Sequence, residues 1–285
     1  MPVFKSYDAY ERFARKARNS HRFIRDGEDQ EFFKALLQEA QTDDHGQVIG
    51  PCFPLWRAQL GCREEERFYF EDYNLRCSEG EYVSDIHRFE PEVAAAYTVP
   101  SPYNLRDRMK PPRDRAPEGR ANPKGIPFLY LSNNKKTVMS EIRPWKGAYI
   151  SLAQFKPVRD LKIVNCWTDD LKGRKFKLRT RTGEEIGSSV IYAPEDIDPV
   201  VWQDVDRAFS EPVTVTDDSS SYTPTQIIAE LFRTSGFDGI AYRSAFDNGH
   251  NVALFDLDAA EIVKHTLRLY KVKDLKVEFE RFQNG

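Results

Sequence analysis

A helix that runs directly into a hairpin, between Thr223 and Phe255, leaves this chain the least freedom. Thr223 can act as N-cap, Pro224 fits the first helical position, and Gln226 can complete a capping box. Ile227, Ile228, Leu231 and Phe232 recur at helical spacing, and Gly236 can close the helix in a left-handed conformation. Two short apolar runs follow, Gly239–Tyr242 and Asn251–Phe255. They are parted by the turn-like Asp247-Asn248-Gly249-His250 and read as a hairpin.

Elsewhere the pattern is of short strands with scattered helices. Strands are expected at Phe53–Ala58, Phe128–Leu131, Tyr149–Phe155 and Leu161–Val164. A long stretch from Ser101 to Pro127 holds six prolines and reads as an ordered loop of the kind that is often functional. The tail alternates at Leu267 and Leu269, then at Leu275, Val277 and Phe279, with a turn at Lys273-Asp274, which predicts a terminal hairpin on the sheet edge. Strand and helix do not alternate regularly, so the expected class is α+β, with mixed or antiparallel sheets and flanking helices, rather than a doubly wound sheet.

The N-terminal part differs. Residues 7 to 40 read as two amphipathic helical stretches interrupted at Gly27, and the polar Thr42–Gln47 segment marks a boundary. This gives a helical extension over residues 1–48 and a main domain over residues 49–285. The basic cluster of Arg12, Arg15, Lys16, Arg18, Arg22 and Arg25 reads either as a phosphate-binding surface or as a solvated helix face. The extension offers a means of self-association, or a cover for the site.

Charge and motifs narrow the function. The formal net charge of -3 argues against nucleic acid as partner, whereas a small phosphorylated ligand needs only one or two well-placed Arg side chains. No apolar run approaches a membrane span, and the start lacks an apolar signal core. Cys52, Cys62, Cys77 and Cys166 form no CxxC pair, so reduced thiols and a cytoplasmic address are expected. The five His are isolated, which leaves no catalytic metal expected. Neither GxGxxG nor GxxxxGK[ST] occurs.

Four segments can carry chemistry. Arg57 sits in the apolar run Pro54–Ala58 and reads either as a partner of an internal carboxylate or as a bidentate phosphate grip. The loop Gly119–Pro127 runs into Phe128–Leu131. It offers backbone N–H groups, Arg120 for charge and Tyr130 as a stacking ring or a core residue. Glu141 follows Thr137 by one turn on a short helix that Pro144 ends, and it reads as a surface or a catalytic carboxylate. Ser244 follows Tyr242-Arg243 without a GxSxG elbow, so a Ser-His-Asp hydrolase is not expected, though Ser244 can donate a hydrogen bond to a ligand.

Taken in order, these segments resemble the RES domain family, which includes the toxins of RES–Xre toxin–antitoxin pairs. The likeness rests on Trp56-Arg57-Ala58, on Gly119-Arg120-Ala121-Asn122-Pro123 running on to Leu129-Tyr130-Leu131, on Thr137 with Glu141-Ile142-Arg143-Pro144-Trp145, and on Tyr222 to Ser244 with Asn251 to Phe255. It spans roughly residues 53 to 257. Many members carry an aromatic after the loop Arg; here Ala121 stands there, as in the larger members. The resemblance implies an ADP-ribosyltransferase-like fold that takes NAD+ as a substrate, not as a cofactor, and cleaves its nicotinamide–ribose bond by hydrolysis or phosphorolysis. ADP-ribosyl transfer to a protein is the alternative, and a non-catalytic nucleotide-binding module a further one. The catalytic set it implies is Glu141, Arg57 and Ser244, with Arg57, Arg120, Tyr130 and Ser244 binding NAD+. It also implies an Xre-type antitoxin as partner.

Overall fold

A computed structural model of the chain describes residues 2–69, 95–104, 108–168, 174–179, 185–191, 194–211 and 219–276. In chain order the elements are α1 (Ala9–Asn19), α2 (Gly27–Glu39), β1 (Gly46–Ile49), β2 (Leu55–Leu60), β3 (Arg63–Tyr69), β4 (Ala95–Ser101) and β5 (Leu129–Ser132). They continue with α3 (Lys135–Glu141), β6 (Tyr149–Pro157), β7 (Leu161–Asn165), β8 (Arg174–Arg179), β9 (Glu185–Ile191) and α4 (Ile197–Ser210). Last come α5 (Thr223–Thr234), β10 (Gly239–Arg243), β11 (His250–Leu254), β12 (Ala260–Ile262) and β13 (Arg268–Lys271).

The main sheet has the order β1-β7-β10-β11-β5-β2-β6-β12, with β13 also on β6. Only β7 and β10 run parallel; the other described pairs of this sheet are antiparallel. The class is α+β with a mixed sheet, as the sequence predicts.

Period-two alternation sorts the strand residues into two cores. Ile240, Tyr242, Ala253, Phe255 and Phe128 face a layer built by α1, α2, α4 and α5 through Phe13, Leu36, Trp202, Phe209 and Phe232. Their neighbours Ala241, Val252, Leu254, Leu129 and Leu131 join Leu55, Phe155 and Met109 in the second core. Each fully buried large apolar side chain in these layers contributes roughly 1.5–3 kcal/mol. The N-terminal helices therefore share their core with the sheet, and β1 is its edge strand.

Local chemistry explains the ends. Asp26 caps α2 by accepting from the Asp29 N–H at 2.9 Å, so the interruption read at Gly27 is a helix start. Much of the basic cluster serves this junction: Lys16 pairs with Asp26 and Glu28, Arg12 with Asp8 and Glu28, and Arg25 approaches Asp29. Gly236 is left-handed, with φ of 88°, as expected at the end of α5.

Two expectations need correction. The capping box at the start of α5 does not form: Tyr222 is the N-cap without a side-chain bond, and Thr223 is already helical. Gln226 and Thr225 are drawn off by the carbonyls of the Gly119–Asn122 loop instead. Of the terminal hairpin, the first arm is β13, but Leu275 is not in a strand, and Val277 and Phe279 lie outside the described residues. The sequence pattern also missed α4, where Pro199, Val200 and Val201 are poor helix formers. Pro199 falls within the first turn, whose N–H groups have no intrahelical partner, and burial of Val201, Trp202, Val205 and Phe209 outweighs the propensity.

Candidate active site

β2 and β5 are neighbours in the sheet, yet they pair only at Trp56↔Ser132. Beyond that rung the strands diverge, and a cleft of about 320 Å3 opens along the split. Arg57, Ala58 and Gln59 line it from β2, Tyr130 and Leu131 from β5, Tyr242 and Asn251 from β10 and β11, and Glu141 from α3. Gly119 and Arg120 border it from the loop. Four of the five residues singled out in the sequence thus share one cavity. The fifth, Ser244, is not among the lining residues but is hydrogen-bonded to Glu141.

Arg57 is 7% exposed. Its Nη1 donates to the Tyr130 carbonyl at 2.8 Å, a group the missing β2–β5 ladder leaves without a strand partner, while its buried Nε has no hydrogen-bond partner among the described residues. No carboxylate lies within ion-pair distance of it among the described residues. Burial pushes its pKa down to about 10, which leaves it a cation at neutral pH. Of the two readings of Arg57, the internal carboxylate partner is therefore absent among the described residues.

The loop is built around Tyr130. Its hydroxyl accepts from the Ala121 N–H at 3.0 Å and donates to Asn122 Oδ1 at 2.7 Å. Asn122 Nδ2 in turn holds the Pro117, Pro123 and Ile126 carbonyls. A Cβ on Gly119 would lie 2.5 Å from Asn122 Oδ1 and 2.6 Å from the Tyr130 hydroxyl, so only glycine fits. Ala121 is fully enclosed, which leaves no room for a larger side chain there. Arg120 donates to the Phe209 carbonyl near the C-terminus of α4, and its guanidinium lies 5.7 Å from the centre of the Tyr242 ring. Burial raises the pKa of both Tyr130 and Tyr242, so both hydroxyls stay protonated.

Glu141 ends α3, whose N-cap Asn134 accepts from the Lys136 N–H. Its Oε1 accepts two short hydrogen bonds, from Ser244 Oγ at 2.6 Å and from Asn251 Nδ2 at 2.6 Å. Ser244 Oγ also accepts from the Phe246 N–H at 3.1 Å. Oε2 of Glu141 has no partner among the described residues. Asn251 was not singled out in the sequence as a site residue; the available signal was one amide at the head of the otherwise apolar run Asn251–Phe255.

Charge and shape define what the cleft can do. Two guanidinium groups, one carboxylate with an uncommitted oxygen and a ring wall fit a ligand that carries both anionic and electron-poor parts. Elsewhere, His21, Asp26 and Asp29 come close enough to hold a metal ion, but the Lys16 ammonium is 2.7 Å from Asp26 and 3.7 Å from Asp29 and supplies the positive charge there. Cys52, Cys62 and Cys166 are free thiols, and Cys77 lies outside the described residues. Among the described residues, no helix is long and apolar enough to cross a membrane.

A family model described as RES domain matches residues 95–278, more than half of the chain. The match holds Arg120, Tyr130, Glu141 and Ser244 and begins after Arg57. One solved structure, the toxin–antitoxin complex of MbcT and MbcA from M. tuberculosis, aligns over 54% of this chain and 71% of its own chain, at 14% identity and a TM-score of 0.29. A likeness that loose carries no argument about mechanism. No curated protein matches the chain.

Proposed function

The chain belongs to the RES domain family, and from that premise we propose that it is an enzyme that consumes NAD+ by breaking the nicotinamide–ribose bond. The observation that carries the reading is Arg57: a nearly enclosed cation, without a carboxylate partner among the described residues, on the wall of the cleft that also holds Glu141. A charge is seldom buried unpaired unless a ligand completes the pair. The pyrophosphate of a dinucleotide supplies that anion, and Arg120 on the opposite border supplies a second grip.

The remaining parts follow from the chemistry. Cleavage at the ribose builds oxocarbenium-like positive charge on the sugar, as in glycoside cleavage. Glu141 supplies negative charge there through Oε2, while the two donors on Oε1 fix its orientation. Ser244 acts by holding Glu141. Nicotinamide in NAD+ is a flat cation suited to the Tyr130 ring, and it departs neutral, so no general acid is required. One carboxylate then suffices where glycosidases use two.

The test is incubation of purified protein with NAD+ and chromatographic separation of the products. Release of nicotinamide with ADP-ribose indicates hydrolysis; ADP-ribose 1''-phosphate indicates phosphorolysis; a modified protein band indicates ADP-ribosyl transfer. NAD+ that stays intact at micromolar enzyme sinks the reading. As a toxin-like protein the chain would act in the cytoplasm. An Xre-type antitoxin is the partner this reading assigns.

A further inference from the structure

Asn251 lies in β11, opposite Tyr242 on one side and Ser132 on the other, and is 5% exposed. Burying an amide costs free energy unless its donors and acceptor are used. Here Nδ2 makes one bond, to Glu141 Oε1, and Oδ1 has no hydrogen-bond partner among the described residues. The amide cannot be turned around, because an Oδ1 placed 2.6 Å from a carboxylate oxygen would repel it. The bond therefore commits Nδ2 to Glu141 and leaves Oδ1, with both lone pairs, uncommitted in a residue that lines the cleft. Glu141 Oε2 is equally uncommitted. The two side chains are joined by one hydrogen bond, so their free acceptors are held as a unit.

Two linked acceptors match two adjacent donors, and a sugar carries such donors as vicinal hydroxyls. We propose that Asn251 is a specificity-determining residue. With Glu141 it forms a paired acceptor for the two neighbouring hydroxyls of the nicotinamide-bearing ribose, one hydroxyl to each side chain. This inference rests on the proposed function and names the part of the substrate that the carboxylate and the amide read together. Protein–ligand hydrogen bonds left unmade in a desolvated site make such a reader selective.

The experiment compares NAD+ with its two analogues that lack either the 2- or the 3-hydroxyl of the nicotinamide ribose. Nicotinamide release is measured for the wild-type chain and for Asn251→Ala and Asn251→Leu, the second keeping the side-chain volume. The quantity read is the ratio of kcat/KM on NAD+ to kcat/KM on each analogue. Each ratio is independent of the fraction of folded protein, and its change from wild type to variant is independent of the intrinsic reactivity of each sugar. The expected result is that, in both variants, the ratio for one analogue collapses by about tenfold while the ratio for the other stays as in wild type. Unchanged ratios for both analogues, whatever the absolute loss, would overturn the proposal and reduce Asn251 to a support for Glu141. A wild-type chain that releases no nicotinamide from NAD+ would overturn the proposed function itself, a distinct outcome.

Discussion

The Ser244 hydroxyl donates to Glu141 Oε1 at 2.6 Å across 103 residues of sequence. The bond joins the end of a short helix to the end of a strand and leaves one carboxylate oxygen toward the cleft. Glu141→Gln keeps an acceptor for Ser244 and Asn251 and removes the charge. Nicotinamide release should fall about a hundredfold or more. Thermal melting and binding of ADP-ribose should change little. Turnover within twofold of wild type would remove Glu141 from the chemistry.

Arg57→Met should separate binding from stability. The buried cation lacks a carboxylate among the described residues, and replacing a buried charge with an apolar side chain of similar length is often neutral or stabilising. The unliganded variant is expected to melt at the same temperature or higher, although the Tyr130 carbonyl loses its donor. Binding of ADP-ribose should weaken by about tenfold or more with the loss of a charge-assisted bond. Calorimetric affinity equal to wild type would place the pyrophosphate elsewhere.

Gly119→Ala should disturb the loop that Tyr130 ties down. The added methyl would stand 2.5 Å from Asn122 Oδ1 and 2.6 Å from the Tyr130 hydroxyl, so the Tyr130–Asn122 bond must break. A buried donor or acceptor left unpaired costs about 1–3 kcal/mol. Chemical denaturation should register that loss, together with a higher KM for NAD+. Unaltered stability would mean that the loop relaxes freely.

Acid should destabilise the fold in part through His45. Its ring packs 3.9 Å from the Trp202 ring, its Nδ1 lies 3.0 Å from the Asn165 carbonyl, and burial holds its pKa below the usual 6.5. The unfolded chain takes up a proton as pH drops through 6.5, and the folded chain resists it. Stability is therefore flat with respect to His45 above that value and declines below it. His45→Gln should lower stability at neutral pH and flatten the acid slope. His250, also lowered by burial and by Arg243, adds to the slope that remains, as do carboxylates held low by cationic partners, such as Asp238 beside Arg159 and Asp247 beside Lys136. Equal slopes in urea titrations of the two proteins would exclude His45.

Chelation should leave turnover intact. The described lining of the cleft contains no His or Cys and a single carboxylate, whose Oε1 already accepts two hydrogen bonds. That is a poor donor set for a divalent ion, and a neutral leaving group needs no Lewis acid. Activity that vanished after EDTA and dialysis and returned with one added ion would require a different site, with Asp238 and Asp247 as candidate ligands.

Much of this was legible in the sequence because local rules and tertiary packing agreed. The helix–hairpin from Thr223 to Phe255 appears with its left-handed Gly236, since apolar period, turn chemistry and burial point the same way. Where they conflict, the pattern misleads: α4 is held by Trp202 and Phe209 against its propensity, and Gln226 serves the Gly119 loop rather than its own helix end. The cleft itself depends on something a linear pattern does not hold, the divergence of β2 from β5 after one shared rung. Asn251 showed only as an amide heading an apolar run, because its meaning comes from a partner 110 positions away.

That single rung at Trp56↔Ser132 has a mechanical consequence. The sheet is two plates joined by a pin, with β1, β7, β10, β11 and β5 on one side and β2, β6, β12 and β13 on the other. Helix α3 lies against strands of both plates and acts as a brace, and it carries Glu141 at its end. Gripping surfaces and carboxylate are thus mounted on opposite jaws and on the strut between them. A change at the pin, remote from any reacting atom, would alter the bite of the whole.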